Sequence, residues 1–178
     1  MSNKIKILLV DPPGFNGLKI DRVLGSFGTM KSDQIWPAYD LQIMGGYLKK
    51  EGYEFKIFDA NNLNKTYNDV EAEIRKYKPN WVIFLTCFPN FKLDAKVAEA
   101  AKKVDKKIKT ACMSLSMLSL QNPKKIMEEL TYIDYIPWGE PEFALMQLIK
   151  GKNPAKVQGI YYRDSKGKIK FSSGMTHQ

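Results

Sequence analysis

The stretch Lys6–Gly17, "KILLVDPPGFNG", decides the architecture of this chain of 178 residues. A short apolar run ends at Asp11, and the Pro12–Pro13 pair that follows interrupts regular secondary structure. This pattern is typical of a buried strand that opens into a loop at the edge of a sheet. The rest of the chain indicates what kind of sheet this is and which ligands such a loop suits.

Outward from this strand, apolar runs alternate with amphipathic segments. Strands are predicted over Lys4–Val10, Glu54–Ala60, Asn80–Cys87, Ile108–Ser114 and Ile133–Pro137. Helices are predicted over Tyr39–Tyr53, Tyr67–Pro79, Leu93–Lys107, Asn122–Thr131 and Pro141–Gly151, and a hairpin turns at Asp164–Gly167. The alternation predicts an α/β fold: a doubly wound, mostly parallel five-stranded sheet of flavodoxin-like type with a C-terminal β-hairpin. We expect the α/β domain to span residues 1–155 and the hairpin and tail residues 156–178.

The connection over residues 11–38 is long for a compact domain, and such loops are usually functional or disordered. Ligands of doubly wound sheets bind beyond the carboxyl ends of the strands, at the switch point beside the first strand. That rule brings together the loops Asp11–Gly17, Thr86–Phe91 and Met113–Ser119. In the helix after the long loop, Gly45 and Gly46 are both expected to pack closely against the sheet.

Composition excludes several classes of protein. The net charge of +9 rests on lysine, since only three residues are arginine, and a solvated lysine-rich surface is favoured over nucleic-acid binding. No apolar run reaches the ~18 residues of a membrane helix, and the N-terminus has no signal-peptide pattern. Cys87 and Cys112 each lie at or near the end of an apolar run, as expected of buried thiols in a reducing compartment. We expect a cytoplasmic protein.

The loop Asp11–Gly17 fits none of three familiar ligand sites of this fold. Its glycines lack the G-x-G-x-x-G spacing of a dinucleotide site, and Pro12 and Pro13 remove two backbone donors that a phosphate would use. The paired acids of a phosphoacceptor site are also missing. No catalytic or metal-binding constellation is present: the sole histidine is His177, and helix capping or dipole interactions explain Glu140 and Glu142.

Four motifs, in order, resemble one family: the N-terminal cobalamin-binding domain of radical-SAM enzymes. They are "LQIMGGYLKKEGYEFKIFDA" (Leu41–Ala60), "KPNWVIFLTCF" (Lys78–Phe88), "DYIPWGEPE" (Asp134–Glu142) and "GIYYRDSKGKI" (Gly159–Ile169). The "DYxxxGExE" match is the most specific. Together the motifs extend the resemblance over essentially the whole chain.

The resemblance implies a cofactor site at the carboxyl ends of the strands. Residues 12–17 would form the bed under the corrin ring, and residues 86–88 would offer a hydroxyl and backbone to the nucleotide tail. The implied cofactor-binding residues are Asp11, Pro12, Pro13, Gly14, Phe15, Asn16, Gly17, Thr86, Cys87, Phe88, Met113, Ser114, Gly139 and Glu140. The D-x-H-x-x-G motif is absent, so cobalamin is expected to bind without a protein histidine on cobalt.

Two departures from the family limit what this chain does alone. The Gly-Gly that many relatives carry after the fourth strand is replaced by "ACMSLSML" (residues 111–118). The C-x-x-x-C-x-x-C cluster motif is absent, so the iron–sulfur cluster and S-adenosylmethionine are expected only in a C-terminal domain that this chain lacks. The resemblance therefore implies a cobalamin-binding domain of a methyltransferase or an anaerobic tetrapyrrole cyclase, working with a radical-SAM domain in cis or trans. The alternative is a degenerate module of the same fold that binds a protein partner.

Overall fold

The predicted strands assemble into one sheet in a computed structural model that describes residues 5–22, 28–29, 36–87, 90–113 and 122–172. The strands are β1 (Lys6–Asp11), β2 (Ile20–Asp21), β3 (Gly28–Thr29), β4 (Glu54–Asp59), β5 (Trp81–Leu85), β6 (Lys109–Met113), β7 (Tyr135–Pro137), β8 (Ile160–Arg163) and β9 (Ile169–Phe171). The main sheet has the order β4-β1-β5-β6-β7-β8-β9. The first five strands in this order are parallel, and β8 and β9 continue the sheet in antiparallel fashion. The predicted doubly wound sheet and C-terminal hairpin are therefore confirmed.

The helices cover both faces of this sheet. They are α1 (Tyr39–Lys50), α2 (Tyr67–Tyr77), α3 (Phe91–Asp94), α4 (Lys96–Val104), α5 (Pro123–Glu129) and α6 (Pro141–Ile149). The side chain of Asn122 accepts a hydrogen bond from the Lys125 N–H at 3.2 Å, which confirms the predicted N-cap of α5. The single helix predicted over residues 93–107 is wrong in detail, because it is divided at Ala95 into α3 and α4.

Alternation along each strand divides the core into two layers. Ile7 and Leu9 of β1 face the layer that also contains Leu41 and Met44 of α1 and residues of α6. The neighbouring residues Leu8 and Val10 face the other layer, which is formed with α2, α4 and α5. Side chains of a strand point alternately to its two faces, so a run of apolar residues supplies both layers at once.

The two glycines of α1 have different environments. A Cβ on Gly45 would lie 2.8 Å from Phe55 Cε2, which confirms the predicted close packing against the sheet. A Cβ on Gly46 would meet no atom of the described part of the chain within 4 Å, so the same prediction is wrong for Gly46. One glycine is required by packing within this chain, and the other lies on its surface.

The described residues of the long connection after β1 include two short strands. Within it, β2 and β3 form a separate antiparallel pair, with Ile20 opposite Thr29. Among the residues described, no helix is long and apolar enough to cross a membrane.

Candidate functional site

The candidate site lies at the carboxyl ends of the parallel strands, called here the carboxyl edge. Asp11 ends β1, Thr86 follows β5, Met113 ends β6 and Gly139 follows β7. Thr86 and Met113 are direct neighbours, since the Thr86 N–H donates to the Met113 carbonyl at 3.0 Å. The parallel topology thus brings these predicted residues to one edge, while Phe88 and Ser114 lie outside the described residues.

The first loop, residues 12–22, begins as a tight hairpin at this edge. Phe15 and Leu18 exchange two backbone hydrogen bonds of 2.9 Å around a turn formed by Asn16 (φ 49°) and Gly17 (φ 78°). Two consecutive positive φ angles are typical of a type I′ turn, for which Asn-Gly is the preferred pair. The side chains of Phe15 and Leu18 remain 49% and 47% exposed. The hairpin therefore presents two large apolar side chains to solvent.

The base of this hairpin leaves no room for another side chain. A Cβ on Gly14 would lie 2.2 Å from the Leu18 carbonyl oxygen, so only glycine fits there without a backbone shift. Pro12 and Pro13 are buried beside it. The returning chain is held by Asn61, whose amide accepts from the Ile20 N–H at 3.0 Å and donates to the Ile20 carbonyl at 2.8 Å.

Below the loop lies a buried cluster of charged groups, Arg22 with Asp11 and Asp94, called here the carboxyl-edge cluster. Arg22 Nη1 donates to Asp11 Oδ1 and to the Pro12 carbonyl, both at 3.0 Å. Its Nη2 donates to the Pro13 carbonyl at 3.0 Å and to Asp94 Oδ1 at 2.7 Å. The Arg22 side chain is only 1% exposed and that of Asp94 is 0% exposed. One guanidinium thus joins the end of β1, the first loop and α3.

The protonation of this cluster is set mainly by burial. Burial raises the pKa of Asp11 to about 7, even though Arg22 opposes the rise; Asp59 and Asp94 add to it. Burial likewise raises the pKa of Asp94 against the opposing charge of Arg22. Burial disfavours the charge on Arg22, but Asp94 and Asp11 outweigh burial, so its pKa rises and it stays protonated. Two buried carboxyl groups therefore share one permanent cation.

The end of β5 contributes an unusual hydroxyl. Thr86 is 1% exposed and lies near enough to Asp94 to help lower the pKa of that carboxyl. Its Oγ1 nevertheless has no partner in hydrogen-bond geometry among the described residues, and neither has Asp94 Oδ2. Native proteins leave few buried polar atoms unpaired, and these two atoms belong to side chains that lie beside each other at this edge. The adjacent Cys87 is a buried free thiol whose pKa is raised by burial.

The ends of β6 and β7 complete the edge. Met113 is completely buried and packs in the core beneath it. Gly139 has a φ of 105°, and a Cβ there would meet none of the described residues within 4 Å. Glu140 is the N-cap residue of α6, but its side chain makes no capping hydrogen bond. Burial raises the pKa of Glu142 in the first turn.

Sequence reasoning did not assign roles to Arg22, Asp94 and Asn61. Arg22 carried one available signal, because it is the only arginine in the long connection of a lysine-rich chain. Asp94 carried none, since its partner lies 72 residues away in the sequence. Among the described residues, no group of His, Cys, Asp and Glu is arranged to hold a metal ion.

The fold defines an α/β domain of the doubly wound class. No protein-family model matches the chain. An uncharacterized methyltransferase from Pyrococcus horikoshii is 27% identical over 171 residues, which are 93% of this chain and 34% of that protein. The chain therefore spans about a third of the length of the curated relative that it matches.

Two solved structures share the fold. The radical S-adenosylmethionine methyltransferase TsrM from Kitasatospora setae, with cobalamin and a [4Fe-4S] cluster bound, aligns with a TM-score of 0.70 and 15% identity over 95% of this chain and 31% of its own. The cobalamin-dependent radical enzyme OxsB, with aqua-cobalamin and S-adenosylmethionine bound, aligns with a TM-score of 0.70 and 16% identity over 98% of this chain and 23% of its own. The resemblance seen in the motifs is confirmed at the level of the fold.

Proposed function

We propose that this chain binds cobalamin at its carboxyl edge and orients it for a radical-SAM methyltransferase. One observation carries the proposal: nearly the whole chain shares its fold with two enzymes whose structures hold cobalamin. The relationship to a methyltransferase of Pyrococcus horikoshii supports the reaction class. An anaerobic tetrapyrrole cyclase is the other parent enzyme that the motifs allow.

The chemistry of the first loop fits a corrin ring better than a phosphate. Pro12 and Pro13 have no N–H group, and their carbonyls are both bonded to Arg22 below the loop. The hairpin above them presents Phe15 and Leu18, each about half exposed. A surface that is apolar and poor in donors suits the broad faces of a macrocycle, whereas phosphate needs convergent N–H groups.

The ends of β5 and β7 fit the polar parts of the cofactor. Thr86 follows β5 directly, so its hydroxyl and the backbone beside it lie at the carboxyl edge. The absence of a side chain at Gly139 leaves space for close approach to the backbone. Thr86 and the neighbouring backbone would therefore hold the nucleotide tail, and the first loop would hold the ring.

The chain's own contribution is binding and orientation. When bound, cobalamin would supply a cobalt centre able to carry a methyl group. No histidine occurs before His177, so we propose that cobalt receives no histidine ligand from this chain. The buried base of the first loop would exclude water from the face of the ring that it covers. The iron–sulfur cluster and S-adenosylmethionine would be held by a radical-SAM domain in cis or trans.

Binding is tested by adding hydroxocobalamin to the purified chain, removing free ligand by gel filtration and recording the visible spectrum. We expect stoichiometric retention with a base-off spectrum. The variant His177→Ala is the control for cobalt ligation and should give the same spectrum. A folded chain that retains no hydroxocobalamin would contradict the proposal.

The exposed face of α1 favours a second candidate function, a protein-interaction module. Tyr39, Ile43 and Tyr47 follow one another at helical spacing and are 43–50% exposed. Gly46 lies among them with open space around it, although glycine in a helix costs up to ~1 kcal/mol relative to alanine. Failure to retain hydroxocobalamin, together with a loss of partner binding in Ile43→Glu, would favour this alternative.

A further inference from the structure

We propose that Arg22 is the positioning residue of this edge: it fixes the first loop in the shape that receives the ring. This inference rests on the proposed function. Arg22 contacts no part of the site's open surface, because its side chain is 1% exposed. It acts through the backbone of Pro12 and Pro13, whose carbonyls it binds from below.

The geometry of the four hydrogen bonds explains why an arginine is needed. Its two terminal nitrogens each bind one proline carbonyl and one carboxylate, at distances of 2.7–3.0 Å. The planar guanidinium presents these donors in a rigid fork, whereas a lysine ammonium is a single flexible point. Arg22 therefore fixes the position and the tilt of the Pro12–Pro13 segment together.

Arg22 also connects two loops that come from different strands. Asp11 ends β1, and Asp94 ends α3, which follows β5. In a doubly wound sheet of this order, the crevice between these two strands is the switch point where ligands usually bind. Here the guanidinium bridges the two sides of that crevice. The first loop and α3 are therefore fixed relative to each other at this edge.

The rest of the first loop connects the Pro12–Pro13 segment, which Arg22 holds, to the exposed side chains of Phe15 and Leu18. The hairpin closes on itself through Phe15 and Leu18, and Gly14 leaves room for the Leu18 carbonyl to lie close to its Cα. Asn61 fixes the returning strand at Ile20. Arg22 and Asn61 therefore hold the two ends of one rigid unit, and preorganisation of this kind lowers the cost of ordering a loop when a ligand binds.

The test compares Arg22→Lys with wild type in two measurements on the purified chain. The first is the dissociation constant for hydroxocobalamin, and the second is amide hydrogen exchange of the segment 14–20. We expect Arg22→Lys to weaken hydroxocobalamin binding by at least about tenfold and to accelerate exchange at Phe15 and Leu18. Wild-type affinity together with wild-type exchange would overturn the proposal.

A control separates positioning from stability. Asp134→Asn breaks an ion pair near the opposite edge of the sheet and should lower the melting temperature. Its affinity for hydroxocobalamin and its exchange over the segment 14–20 should match wild type. If Asp134→Asn loses affinity in proportion to its lost stability, as Arg22→Lys does, Arg22 acts only through stability and the proposal fails.

Two further outcomes also decide the question. If Arg22→Lys does not fold, Asp94→Ala removes the contact to α3 while Arg22 keeps its bonds to Asp11, Pro12 and Pro13. Weaker binding and faster loop exchange in that variant support the proposal, and unchanged values overturn it. If the wild-type chain retains no hydroxocobalamin, the proposed function fails, and loop exchange alone then decides whether Arg22 orders the loop.

Discussion

Two charged clusters lie near opposite edges of the same sheet and differ in almost every respect. The amino-edge cluster consists of Lys102, Thr110 and Asp134: Asp134 Oδ2 accepts from Lys102 Nζ at 2.6 Å and from the Thr110 N–H at 2.9 Å. The Lys102 and Asp134 side chains are 20% and 23% exposed. The carboxyl-edge cluster of Arg22 is almost completely buried, with the Arg22 and Asp94 side chains 1% and 0% exposed.

The difference shows which cluster serves the fold. One cation faces one carboxylate at the amino edge, in partial contact with water, so the ion pair holds α4 against the sheet at little desolvation cost. At the carboxyl edge one cation faces two carboxyl groups that are almost completely buried. Replacing such a buried group of charges by well-packed hydrophobic residues is often neutral or stabilising. Such a cluster is expected where a loop must be held in one shape, and this agrees with the proposed role of Arg22.

The largest expected effect concerns pH. The pKa of Asp11 is raised to about 7 in the folded chain, so folding favours its protonated form. The contribution of Asp11 to the free energy of unfolding is fully present below about pH 4. It decreases as the pH rises towards 7, by roughly 4 kcal/mol at most. Denaturant unfolding between pH 4.5 and 8 should show this decline in wild type and a flatter profile in Asp11→Asn.

The comparison between the clusters supplies the control for this titration. Asp11 faces Arg22, Asp59, Asp94 and the amide of Asn61. Asp134 is remote from all of them, so Asp134→Asn should keep the wild-type decline with pH. An Asp11→Asn variant with the full wild-type slope would show that Asp11 does not carry the titration.

The next effect tests the amino-edge cluster directly. Asp134→Asn removes a charge-assisted bond to Lys102 and weakens the bond to the Thr110 N–H, and should cost about 2 kcal/mol of unfolding free energy. Denaturant unfolding at pH 7 measures this loss. Because the cluster lies away from the carboxyl edge, retention of hydroxocobalamin should stay at the wild-type level, and a parallel loss would contradict the separation of the two edges.

A smaller effect distinguishes the packed glycine of α1 from the exposed one. This helix runs between the two edges. Gly45→Ala forces a methyl group against the Phe55 ring and should destabilise the chain by about 1–2 kcal/mol. Gly46→Ala meets open space and should stabilise it by up to about 1 kcal/mol through helix propensity. Thermal unfolding of the matched pair measures both, and equal shifts of the same sign would contradict the assigned environments.

The smallest expected change in stability is at Thr86. Thr86→Val keeps the shape of the side chain and removes a hydroxyl that has no hydrogen-bond partner among the described residues. The unfolding free energy should therefore change by less than about 1 kcal/mol. Hydroxocobalamin binding, measured by titration, should weaken several-fold. Unchanged binding would remove Thr86 from the proposed site and leave the first loop as its main part.

Much of the fold could be predicted because its signals are local. The apolar runs that became β1 and β5, the Asn122 cap and the turn after Asp164 each follow from short-range rules of periodicity and capping. The environments of Gly45 and Gly46 could not be separated in this way. Which of the two adjacent glycines faces the sheet depends on how the packed helix is rotated about its own axis.

The sequence by itself determined the order of strands and helices, the donor-poor character of Pro12–Pro13 and the edge at which the candidate residues meet. Only the tertiary structure brought Arg22 to Asp94 across 72 residues and turned both proline carbonyls towards it. The physical reason is one of range. Local sequence fixes backbone propensity and apolar periodicity, whereas the pairing of buried charges depends on how distant segments pack together.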